Sequence, residues 1–218
     1  LPLFSTDKFQ IEIERNWKNI YNISETVIPP DEREVAAMID QIMEYNKKFV
    51  ENKGYEPFLT SKYPDKKLAI LTCMDTRLIE LLPAALGIKN GDAKIIKNAG
   101  GVIVHPYGSV VRSLLVGILE LGVEEVMVIG HTDCGVQGMD GNEMLEKLVE
   151  RGIDQQHIDI VRHSGIDLER WLGGFESVES SVHETVRRLK EHPLMPKNVR
   201  ISGFIMDSAT GELTRVEE

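Results

Sequence analysis

The chain holds only two cysteines, Cys73 and Cys134, and each lies in a short polar motif that follows an apolar run. The first motif is Cys73-Met74-Asp75-Thr76-Arg77, directly after residues 68–72. The second is His131-Thr132-Asp133-Cys134-Gly135, after residues 125–129 and Gly130. Two thiolates and one imidazole suit zinc, and three protein ligands leave a fourth position open, as a catalytic site requires and a structural one does not. The His-x-x-Cys spacing lets both side chains reach one ion from a tight turn. Plainer readings stand beside this one. The cysteines could be inert core thiols or one disulfide, His131 a hydrogen-bonded core histidine, and Asp75 with Arg77 an ion pair at a helix start. The coincidence of all five residues behind two apolar runs favours the site.

Those runs belong to a repeating strand–helix pattern. Residues 68–72 read as a strand buried on both faces, as do 125–129. Further strands are expected at 93–97, 199–205 and 212–216, and helices at 78–86, 109–121, 142–151 and 176–190. The stretch 152–174 reads as less regular, with Gly152, Gly165, Gly173 and Gly174 interrupting it. Ahead of the first strand, Pro29-Pro30 punctuates the chain, Asp31 is a fair N-cap, and apolar spacing predicts a helical arm to about Lys53. The expected fold is α/β: a mostly parallel central sheet flanked by helices, with an N-terminal helical arm. The turn at 208–211 makes the last strand an antiparallel edge. The expected organisation is an N-terminal extension, 1–30, and a single domain, 31–218. In such sheets ligands bind beyond the carboxyl ends of the strands, where strand order reverses. Both motifs fall at strand ends.

Composition narrows the function classes. The 218 residues are 42% hydrophobic and 28% charged, ordinary for one globular domain. A net charge of −10 without a basic stripe argues against nucleic acid as a partner. No apolar run approaches the roughly 20 residues needed to span a bilayer, and the first residues do not read as a secretory signal. A cytoplasmic location is therefore expected. Thiol redox chemistry is disfavoured by the absence of Cys-x-x-Cys, and dinucleotide binding by the absence of Gly-x-Gly-x-x-Gly after the first strand.

The pairing of Cys-x-Asp-x-Arg with a later His-x-x-Cys resembles the signature of the β-class carbonic anhydrases. The resemblance runs from about residue 35 to the end. It includes the loop Asn98-Ala99-Gly100-Gly101 and the closing segment from Gly203-Phe204-Ile205-Met206-Asp207 to Thr210-Gly211. Cys-Met-Asp-Thr-Arg and Gly-His-Thr-Asp-Cys-Gly look most like the compact, archaeal-like branch. The larger plant-like members carry Ser where Thr76 stands and a second Gly where Val136 stands. They also place a Gln ahead of the first strand, and residues 61–65 offer no match to it.

The resemblance implies reversible hydration of carbon dioxide to bicarbonate and a proton, by attack of zinc-bound hydroxide on CO₂. Zinc is then held by Cys73, His131 and Cys134. Asp75 orients the hydroxide and Arg77 holds Asp75 in place. In some members the equivalent Asp ligates zinc and closes the site, so Asp75 is also a candidate fourth ligand. Asn98, Ala99, Gly100 and Gly101 line the substrate pocket, and the protein forms a homodimer or a dimer of dimers. Two thiolates acidify the bound water less than three histidines do, so activity is expected to rise toward alkaline pH. His105 is a speculative proton shuttle, with a surface histidine as the plainer reading. Asp133 reads as a turn residue, and His157, His163, His183 and His192 carry no pattern. Two other functions fit the same ligands: hydrolysis of carbonyl sulfide or carbon disulfide, and a non-catalytic zinc module.

Overall fold

The computed structural model describes residues 32–217. The expected extension over 1–30 and the N-cap at Asp31 lie outside the described residues. The chain divides after Asn52 into two compact units. The first contains helix α1, Glu32–Glu51, close to the expected arm. It carries the i,i+4 pair Lys48–Glu44 at 2.7 Å, and Met38, Ile39, Ile42 and Met43 form an exposed apolar stripe.

The second unit is built on a five-stranded sheet. Its strands are β1 (Leu68–Cys73), β2 (Ala93–Asn98), β3 (Glu125–His131), β4 (Arg200–Met206) and β5 (Leu213–Arg215). The order across the sheet is β2-β1-β3-β4-β5. All pairs are parallel except β4–β5, which is antiparallel as the 208–211 turn requires. The chain leaves β1 for β2 on one side and later reaches β3 on the other. The reversal of strand order therefore falls at β1 and β3, whose carboxyl ends carry Cys73 and His131. Both residues are the last of their strands, so the ladder itself fixes them.

Between the strands lie α2 (Leu81–Ala85), α3 (Ser109–Leu121), α4 (Gly141–Glu150), α5 (Gln155–His163), α6 (Leu168–Leu172) and α7 (Val178–Glu191). The core is the inner part of β1 and β3: Ile70, Leu71, Val126, Val128 and Ile129 are almost fully buried. Helix α7 covers β3 and β4 through Val178, Val182 and Val186. It comes this close because Gly130 has no side chain: a Cβ there would lie 2.7 Å from methyl carbons of Val178 and Val182.

Two expectations need correction. The helix expected over 78–86 is instead a 3₁₀ turn, Thr76–Leu78, followed by the five-residue α2. Pro83 explains the break. Its ring and missing N–H are tolerated only in a helix's first turn, so the helix restarts at Leu81. The stretch 152–174 is not irregular but holds α5 and α6. Asp154 caps the first by accepting from Gln156 N, and Asp167 caps the second by accepting from Arg170 N. The glycines that suggested a less regular stretch mark helix boundaries. Leu145, Ile158 and Leu168 make this helical region a small core of its own.

Candidate metal centre

At the carboxyl ends of β1 and β3 the structure brings Cys73, His131 and Cys134 together. One ligand atom from each lies within 4.8 Å of the others, and all three residues are buried. The sulfurs are 3.9 Å apart and both cysteines are free. Two sulfurs bound tetrahedrally to zinc at about 2.3 Å each would be about 3.8 Å apart. His131 Nδ1 lies 2.8 Å from the carbonyl of Thr132. A carbonyl only accepts, so Nδ1 carries a proton, and in the neutral imidazole Nε2 keeps its lone pair. Nε2 is buried and has no hydrogen-bond partner among the described residues. An orphan of this kind costs about 1–3 kcal/mol unless a ligand takes the lone pair. The donor set, the sulfur spacing and the aimed imidazole together fit a metal ion. Burial pushes the Cys134 thiol up, so a cation is the natural partner for its ionised form.

Asp75 follows at the edge of the cluster, with Oδ2 3.9 Å from His131 Nε2. It caps the 3₁₀ turn by accepting Arg77 N at 2.9 Å. Arg77 also donates from Nε to Oδ1 at 3.0 Å and from Nη2 to Oδ2 at 2.8 Å. These bonds, the guanidinium's first among them, hold the Asp75 carboxyl well below the usual carboxylate range. Asp75 is therefore a fixed, ionised acceptor beside the triad.

The loop 98–101 lies against the first motif, with Met74 N donating to Asn98 O at 2.9 Å. Asn98 bonds across it, with Nδ2 donating to Val102 O at 2.7 Å and Oδ1 accepting from Val102 N at 3.0 Å. Gly101, at φ +66°, passes so near β1 that a Cβ would lie 3.0 Å from Cys73 N and Thr72 C. Only glycine meets both demands without strain. Gly100 is buried against Phe175, whereas Ala99 is exposed.

Several contacts had no clear sequence signal. Asp133, read as a turn residue, also accepts Arg77 Nη1 at 2.8 Å, and its carbonyl accepts Nη2 at 2.8 Å. His192 is buried, accepts Leu194 N at Nδ1, and so donates from Nε2 to Pro106 O at 2.9 Å. Arg188 donates to Ile103 O at 2.8 Å. Helix α7 and its C-cap residue His192 thereby anchor the segment that follows the glycine loop. The partners of His192 and Arg188 are backbone groups, which a sequence pattern does not display. His105 is exposed, and its Nδ1 accepts Tyr107 N at 3.1 Å.

Fold and site define an α/β protein with a metal-competent Cys-His-Cys cluster at the switch point of a mostly parallel sheet. A family model described as carbonic anhydrase matches residues 68–213. The chain is 50% identical over 177 residues to YtiB of Bacillus subtilis (strain 168), a protein named only provisionally as a carbonic anhydrase. That match covers 81% of this chain and 95% of YtiB. The crystal structure of beta-carbonic anhydrase isoform I from Trichomonas vaginalis superposes with a TM-score of 0.73 at 35% identity, over 82% of this chain and 96% of that one. A carbon disulfide hydrolase of Saccharolobus solfataricus is 32% identical over 163 residues, 69% of this chain and 78% of that protein. The chain belongs to the carbonic anhydrase family of enzymes, in its beta class.

Proposed function

We propose that this enzyme hydrates carbon dioxide reversibly to bicarbonate and a proton, as a carbon–oxygen lyase, with zinc held by Cys73, His131 and Cys134. The observation that carries the reading is the buried, unpartnered Nε2 of His131 facing two free thiols beside an ionised carboxylate. A zinc ion there would acidify water and so make hydroxide available near neutral pH. Asp75, 3.9 Å from His131 Nε2, would accept a hydrogen bond from a metal-bound water and orient it toward the substrate carbon. Arg77 keeps Asp75 ionised and turned to that task. In this reading Asn98, Ala99, Gly100 and Gly101 would line the substrate pocket, a role supported by the close approach of Gly101 to Cys73. A separate cavity of about 420 Å³ between α7 and β4–β5 contains none of these residues and plays no part in this reading.

Exposed Met74, Ile79, Val104 and Tyr107 support a homodimer, or a dimer of dimers, in which a second copy covers apolar side chains around the crevice. Among the described residues no helix is long and apolar enough to cross a membrane. Free thiols serving as ligands suit a reducing compartment, and we place the enzyme in the cytoplasm.

Metal analysis paired with a CO₂ hydration assay tests the reading. The wild type should carry one zinc per chain and show activity that rises between pH 6.5 and 9. Cys134→Ala should lose both metal and activity. A metal-free yet fully active protein would refute it. The similarity to carbon disulfide hydrolases supports a second reading, turnover of carbon disulfide or carbonyl sulfide at the same ligands. Parallel assays of CO₂ and the two sulfur substrates decide between them.

A further inference from the structure

Arg77 donates to two partners, and only one of them is explained by the site. Three of its N–H groups, one from the backbone, go to Asp75. The other face of the guanidinium donates to Asp133, from Nη1 to Oδ2 and from Nη2 to the carbonyl, each at 2.8 Å. Asp133 lies between His131 and Cys134 at φ +55°, in the left-handed region, which turns its side chain back toward the first motif. Arg77 is thus clamped between the turns that follow β1 and β3, the second of which carries Cys134.

The clamp matters because Asp75 stands so near the cluster. Its Oδ2 is 3.9 Å from His131 Nε2, so a modest side-chain rotation would bring the carboxylate onto a metal held there. Arg77 opposes that rotation only while it is itself held. The Asp75 bonds cannot do this alone, because Arg77 and Asp75 could swing together. The two bonds to Asp133 supply the fixed end.

We propose that Asp133 is a positioning residue that anchors Arg77 from the opposite turn, keeps Asp75 off the metal, and so leaves the fourth coordination position open to small ligands. The inference rests on a metal ion at Cys73, His131 and Cys134. Asp133 touches neither substrate nor metal in this scheme, and its side chain is 84% exposed.

The test is azide binding to the cobalt(II)-substituted protein, read from its visible spectrum. Asp133→Gly removes the side-chain anchor while leaving a residue at ease with φ +55°, and Asp133→Ser is too short to reach the guanidinium. Both should retain cobalt and the wild-type melting temperature to within a few degrees, yet bind azide about fivefold more weakly, the order expected for one charge-assisted bond at a partly exposed site. Asp133→Asn tolerates the same backbone conformation and keeps an acceptor for Nη1, so it should restore azide affinity to within about twofold. Wild-type azide affinity in both Asp133→Gly and Asp133→Ser, with cobalt bound, would overturn the inference while leaving the metal reading intact. Asp133→Asn binding as weakly as Asp133→Gly would overturn it too, by tracing the effect to charge rather than position. A wild type that takes up no cobalt or zinc would overturn the metal reading and this inference with it.

Discussion

The carboxyl end of the sheet and the helical region from Gly141 to Leu172 are held together in opposite ways. At the sheet end several decisive contacts join residues far apart in the chain, beside the local Asp75–Arg77 and His131–Thr132 pairs. Thr72 Oγ1 donates to Ile129 O, Arg77 reaches Asp133, Gly101 lies on the backbone of Cys73, and His192 holds Pro106. In the helical region much of the organisation is local. Asp140, Asp154 and Asp167 each cap the helix that follows, and Leu145, Ile158 and Leu168 close a separate core. The difference teaches where function is vulnerable. Small displacements at the sheet end separate groups that must act on one atom, whereas the helical region can lose stability without disturbing them.

Substitutions in the two regions sharpen that contrast. Asp75→Ala should retain zinc and lose about 10²- to 10⁴-fold in CO₂ hydration, measured by stopped flow with metal analysis on the same sample. Full activity in that variant would remove Asp75 from the mechanism. Gly101→Ala forces a Cβ against Cys73 N at a positive φ. It should cost about 2–4 kcal/mol in chemical denaturation and lower turnover about tenfold by moving the first thiol. Ile158→Ala empties part of the helical region's core and should cost about 2–4 kcal/mol, yet leave kcat within about twofold of wild type. A large loss of turnover in that last variant would show that the two regions are coupled, and the contrast would fail.

The same contrast governs what was legible in the sequence. The candidate ligands stand out because the chain's only cysteines follow apolar runs, and parallel strands buried on both faces write themselves as such runs. The antiparallel edge was legible from the turn at 208–211. Helices α5 and α6 were hidden by glycines that sit at their boundaries, although the capping residues Asp154 and Asp167 were there to be read. The break before α2 was missed in the same way, although Pro83, whose position limits where a helix can begin, was there to be read. The Arg77–Asp133 contact was not legible, because it depends on a left-handed residue in a turn and on two strands lying side by side. His192 was silent for another reason: its partners are a backbone carbonyl, which every residue offers, and a backbone amide, which every residue but proline offers.

Zinc K-edge absorption spectroscopy on the purified wild-type protein tests the central claim most directly. The account predicts a first shell of two sulfurs at about 2.3 Å, one imidazole nitrogen at about 2.0 Å and one light atom in the remaining position. A shell without sulfur would contradict it, as would zinc present in only trace amounts in protein that hydrates CO₂ at full rate.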